Sequence, residues 1–195
     1  MRRSTTGLLL LLALAATANT LADSFADTLV AAARERTLER EIYDGSYRVI
    51  PYPMGDVPDD RGVCTDLIIR AYRKVEIDLQ VLVHEDMRRD FAAYPQRWGL
   101  QKPDRNIDHR RVPNLQKFFE RAGASLPISQ SPTDYRPGSL VTWLLPGNLP
   151  HIGIVSTRTV PASSRPLILH NIGAGTKEED ILFAYPITGH YRYVR

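Results

Sequence analysis

One cysteine occurs in the 195 residues, Cys64 within RGVCTDLIIRAY, and it stands where an apolar helical stripe begins. Cys64, Leu67, Ile68, Ala71, Tyr72 and Val75 repeat at helical spacing, which defines one buried face of an α-helix. A thiol in the first turn of a helix sits at the positive end of the helix dipole. That placement can lower its pKa from about 8.5 to about 3.5–7.5, most of all beside a histidine. The thiolate form is the nucleophile. The competing reading is a buried, inert cysteine acting as a small hydrophobe. An unpaired cysteine also permits an interchain disulfide, which the buried edge of a helix disfavours.

A nucleophilic cysteine needs a general base, and the base needs a group to orient it. PHIGIVS puts His151 at the mouth of a strand after a Pro/Gly turn, and PLILHNIG puts His170 and Asn171 near the end of the next. If TRTVPASSR closes these runs into a hairpin, residue 151 falls opposite roughly 170 to 172, within side-chain reach on one face. His170 and Asn171 point to opposite faces, so only one can stand behind His151, and pattern alone leaves that choice open.

The elements that must carry these groups are legible in outline. Residues 23–42 have helical periodicity, with Phe25, Leu29, Val30, Ala33 and Leu38 near one stripe. YPMGDVPDDRG is a loop, and Asp59 or Asp60 is expected to serve the start of the cysteine helix. Residues 76–112 read as short helices and a long excursion, a kind of insertion that is more often functional than idle. VPNLQKFFERAG is a short helix with Leu115, Phe118 and Phe119 inward and Gly123 past its end. From Pro137 the period changes: GSLVTWLL, HIGIVST and PLILHNI are strands, and ILFAYPI and HYRYVR are candidates for one or two more. Helices first and an antiparallel sheet second define an α+β domain.

The N-terminus, MRRSTTGLLLLLALAATANTLADS, has basic residues, a short apolar run and small residues near Ala18 and Ala22. That is the layout of a signal peptide over residues 1–22, with periplasmic or secreted export expected and no stable membrane anchor after cleavage. The run is interrupted too early by Thr17, Asn19 and Thr20 for a spanning helix. The formal charge is +3, but Arg2 and Arg3 lie in the leader, and the remaining basic residues are scattered among acids. No basic face of the kind a nucleic-acid binder needs is visible.

The order of these motifs resembles the papain-like bacterial cell-wall hydrolases, both the NlpC-type peptidases and the CHAP-type amidases. GVCTDLI is similar to their cysteine motif, PGSLVTW to their Pro-Gly strand, HIGIVS to their histidine strand and HNIG to their third-residue position. The run from GDVPDDRGVCTDLIIRAYR to ITGHYRY more closely resembles an uncharacterised family of secreted bacterial proteins in the same superfamily. The cysteine motif departs from the NlpC type, with Val63 and Thr65 in place of Asp and Ser, and Asp66 displaced.

The resemblance implies a papain-like core over residues 51–195, preceded by a helix and linker over 23–50. In it the cysteine helix packs on a small antiparallel sheet, with a helical and loop insertion between them. It implies Cys64 as nucleophile, His151 as base and His170, or Asn171, as orienting group, acting without a cofactor on a peptide or peptidoglycan fragment. Asp59, Arg61, Asp66, Asp108, His109 and Arg110 are the expected substrate contacts. Two alternatives stand beside it. One is a non-catalytic binding module on the same fold. The other is a zinc hydrolase using His84, Asp86, Asp108, His109, His151 and His170, against which the chain has no HExxH, HxH or CxxC pattern.

Overall fold

The computed structural model describes residues 24–194; the expected signal peptide lies outside them. Helix α1 (residues 24–35) buries Leu29, Val30 and Ala33, then gives way to a 3-10 turn at Arg36–Leu38. Two short strands follow, β1 (Ile42–Tyr43) and β2 (Arg61–Gly62), paired in parallel. Directly after β2 comes α2 (Cys64–Arg73), then α3 (Leu79–Arg89) and α4 (Val112–Arg121). The excursion between α3 and α4 is irregular apart from short 3-10 turns at Phe91–Ala93 and Asp108–Arg110.

The second half is a sheet, as the change of period from 3.6 to 2 requires. Its strands are β3 (Leu140–Leu145), β4 (Leu149–Thr159), β5 (Pro166–Asn171), β6 (Thr176–Glu179) and β7 (Ile187–Tyr191). They lie in the order β6-β5-β4-β3-β7, every pair antiparallel. The α+β expectation holds, and helices and sheet share one core. Leu140, Ile152, Ile154 and Leu169 on the inner face pack with Leu29, Val30, Leu67, Ile68, Leu115 and Phe119 of the helices. The segment expected as helix and linker is thus part of the core.

Two local expectations need correction, and one strand was not expected. ILFAYPI is not a strand: residues 182–185 turn back so that Leu182 buries on the outer face with Tyr135, Val141, Trp143, Val155 and Ile168. Trp143 Nε1 donates to the Leu182 carbonyl at 2.9 Å, which fixes that cover. The start of α2 is not served by Asp59 or Asp60; the Val63 N–H donates to Asp66 Oδ2 at 2.7 Å, a carboxylate three residues into the helix. Finally, TKEE forms β6, an edge strand whose charges give no apolar alternation to read.

Candidate functional site

The first turn of α2 is fastened from two sides. Arg110 makes a two-pronged ion pair with Asp66, Nε to Oδ1 at 2.8 Å and Nη2 to Oδ2 at 2.9 Å, both side chains enclosed. The same guanidinium donates to the carbonyls of Asp44 and Ser46, and Thr65 Oγ1 donates to the Arg110 carbonyl at 2.9 Å. The insertion and the segment after β1 are thereby held against the turn that carries the thiol.

Cys64 itself is buried, only 4 % exposed. Backbone N–H groups of Ile152, Thr65 and Cys64 favour the thiolate, but burial outweighs them and pushes the thiol up to about 12. Cys64 packs in the core that α2 shares with β4. Val155 N–H points across to β3, donating to Ser139 at 2.8 Å, so by alternation the Ile152 N–H points toward β5. The β4–β5 ladder has already opened there, its last paired residues being Ile154 and Leu169.

His151 lies on the opposite face of the sheet. Ile152 and Ile154 face the helices, so His151, Gly153 and Val155 face outward, where the His151 ring lies 5.8 Å from that of Trp143. His151 Nε2 is 3.2 Å from His170 Nδ1, with the rings edge to face. Gly153 lies beside His170 where the ladder opens. A Cβ there would lie 2.7 Å from Ile168 Cγ2 and 3.2 Å from His170 Cβ, so the bare glycine leaves room for the close approach of the two strands. His170 Nε2 in turn meets Glu179 Oε2 at 3.1 Å. Burial, reinforced by His170, pulls His151 down to about 3. His170 is lowered by burial against the opposing pull of Glu179.

The structure thus selects between the two orienting candidates. Asn171 faces the other way and donates to Glu41 Oε2 at 2.9 Å, while His170 stands behind His151. Cys64 lies on the helix side of the sheet and His151 beside Trp143 on the outer face, and no hydrogen bond joins Sγ to the imidazole. Two residues at the site were not read from sequence. Glu179 lies on the edge strand, and a charged edge gives no pattern. Tyr43, nearly half exposed (45 %), has a phenol raised to about 12 by burial and then by the nearby Cys64 and Asp66. Its position depends on the β1–β2 pairing, which two-residue strands do not announce.

The expected substrate contacts divide. Asp66, Asp108, His109 and Arg110 are buried, with Asp66 and Arg110 tied to each other. Asp108 is held by Arg111 and the Asp104 N–H. Burial raises Asp108 to about 6 and lowers His109 to about 3. Asp59 and Arg61 remain accessible, paired with Arg36 and with Asp60 and Asp44 respectively. The zinc candidates do not converge: Asp86 bonds Tyr94 and Arg121, and among the described residues no three His, Cys, Asp or Glu side chains gather into a metal-binding group.

An α+β protein with one enclosed thiol at a helix start and a buried histidine pair on the sheet is the class that fold and site define. The chain belongs to the family described as a domain of unknown function, DUF1287, which matches residues 30–193. It is 52% identical over 161 residues to "Uncharacterized protein YijF" of Escherichia coli (strain K12), covering 83% of this chain and 78% of that protein.

Proposed function

We propose that this protein is an exported thiol hydrolase on a papain-like core that cleaves an amide bond, with cell-wall peptide as the leading substrate class. The observation that supports the reading is that Cys64 opens α2, the helix packed on β4, while His151 of that strand is paired with His170 at 3.2 Å. Burial raises the thiol to about 12 and lowers His151 to about 3, so the pair rests neutral rather than as thiolate and imidazolium. Deprotonation must then accompany attack. As Sγ bonds to the carbonyl carbon, Nδ1 of His151 takes the thiol proton, while Nε2 stays with His170. The helix-end N–H of Cys64 supports the oxyanion. The tetrahedral adduct collapses, the C–N bond breaks, and the proton passes from His151 to the departing amine. Water, deprotonated by the same imidazole, then cleaves the thioester. Proton transfer requires a contact between Sγ and Nδ1 that forms with substrate, since such contacts are commonly loose in unliganded sites.

The enclosed, neutral thiol favours a second reading, a non-catalytic module that binds cell-wall peptide or a partner protein. Digestion of purified cell-wall fragments by wild type and Cys64→Ala, read by mass spectrometry, separates the two. Products from wild type alone support the hydrolase. Equal products from both overturn the mechanism, and none from either leaves the binding module.

A further inference from the structure

Glu179 reaches the histidine pair from β6, on the side away from Cys64. Its Oε2 is 3.1 Å from His170 Nε2, and His170 Nδ1 is 3.2 Å from His151 Nε2. An ionised carboxylate only accepts, so His170 carries its hydrogen on Nε2. A neutral imidazole has one donor and one acceptor, so Nδ1 of His170 accepts, and His151 donates to it from Nε2. The remaining nitrogen of His151, Nδ1, keeps its lone pair.

We propose that Glu179 is a positioning residue that sets the tautomers of both histidines, so that His151 presents an unprotonated Nδ1 at the strand mouth. Without it, two hydrogen-bond orders satisfy the pair equally. In the reversed order His170 donates from Nδ1, and His151 holds its hydrogen on Nδ1, where it has no capacity to accept a proton. A charge-assisted bond from the carboxylate selects the first order. The neighbouring groups leave Oε2 free to accept from His170, since Lys177 Nζ lies 3.8 Å from the other oxygen, Oε1, and Trp143 meets His151 with its ring. Only the link from Nδ1 to the thiol rests on the hydrolase reading.

The test uses the chain without its leader, as wild type, Glu179→Leu and Glu179→Gln. Glu179 is nearly half exposed, so the fold tolerates both changes. Long-range proton–nitrogen correlation spectra report which ring nitrogen carries hydrogen. Wild type is expected to show both rings with hydrogen on Nε2. Glu179→Leu should move both rings toward mixed or Nδ1–H forms, and Glu179→Gln, which keeps an acceptor oxygen, should lie between them. Hydrogen on Nδ1 of His170 in wild type, or identical patterns in wild type and Glu179→Leu, overturns the proposal. Iodoacetamide labelling of Cys64 provides the second readout. Loss of the base should slow it by about tenfold or more in Glu179→Leu and in His151→Ala. If the tautomers shift while labelling changes in neither variant, the tautomer assignment stands and the hydrolase reading fails.

Discussion

Burial and hydrogen bonding pull the Cys64 thiol in opposite directions, and burial prevails. A helix start alone argues for a depressed pKa, but that effect acts within one turn, whereas desolvation comes from the tertiary core that encloses the thiol. The stripe that places the cysteine at a helix start is therefore legible, and the raised pKa is not. Labelling of the folded protein with iodoacetamide should stay slow through pH 8 and still be rising at pH 10. The urea-unfolded chain should titrate near the ordinary thiol value of about 8.5. A folded midpoint below 7 would show that the helix end outweighs burial after all. The enclosed sulfur also leaves little surface for an interchain disulfide.

Among the elements, the start of α2 and the β4–β5 hairpin carry the site, and each has one residue on which its geometry turns. Asp66 holds the helix-start N–H of Val63 and the enclosed Arg110 guanidinium together. Asp66→Ala should destabilise the protein by about 3–5 kcal/mol, because it strands a buried charge. Asp66→Leu combined with Arg110→Met should recover much of that loss in urea unfolding. Equal losses in single and double variants would mean that the pair is not what holds this turn. In the hairpin, Gly153→Ala forces a Cβ to within 2.9 Å of the Leu169 carbonyl oxygen. Strain of this kind costs about 1–3 kcal/mol, and the strand shift should separate the histidine rings, visible as a change in their coupled titration. Alternation puts residue 151 opposite roughly 170 to 172, and its side chain meets His170. The choice of His170 over Asn171 is not readable, because a one-residue slip exchanges the faces.

At the scale of the whole molecule, all five histidines are lowered, each with burial as the leading cause. A folded pKa below the unfolded value of about 6.5 means full stability above that pH and loss as pH falls toward the folded values. Those are about 3 for His109 and His151. Asp108, raised to about 6, works the other way between about pH 4 and 6 and offsets part of one histidine. The urea midpoint should therefore be highest above pH 7 and fall from about 6.5 to 4.5, with His109 and His151 contributing most, up to about 1.4 kcal/mol per pH unit each. A flat profile over that window would contradict neutral burial of the histidines. Arginine-paired carboxylates such as Asp86 and Glu178 enter only below that range.

Glu41 gives the molecule a further property. Its enclosed carboxylate receives Arg70 and Arg36 from the helical half and Asn171 and Thr176 from the sheet. Four donors converge on one group, and the Asn171 contact spans 130 residues of chain. The segment before α2 and the β5–β6 turn should therefore open as a single cooperative unit. Their amide hydrogens would exchange together in Glu41→Gln, earlier than those of the central strands. The last contacts to close in folding would then be those that frame the thiol and the histidine pair, so the site would be complete only when the chain is.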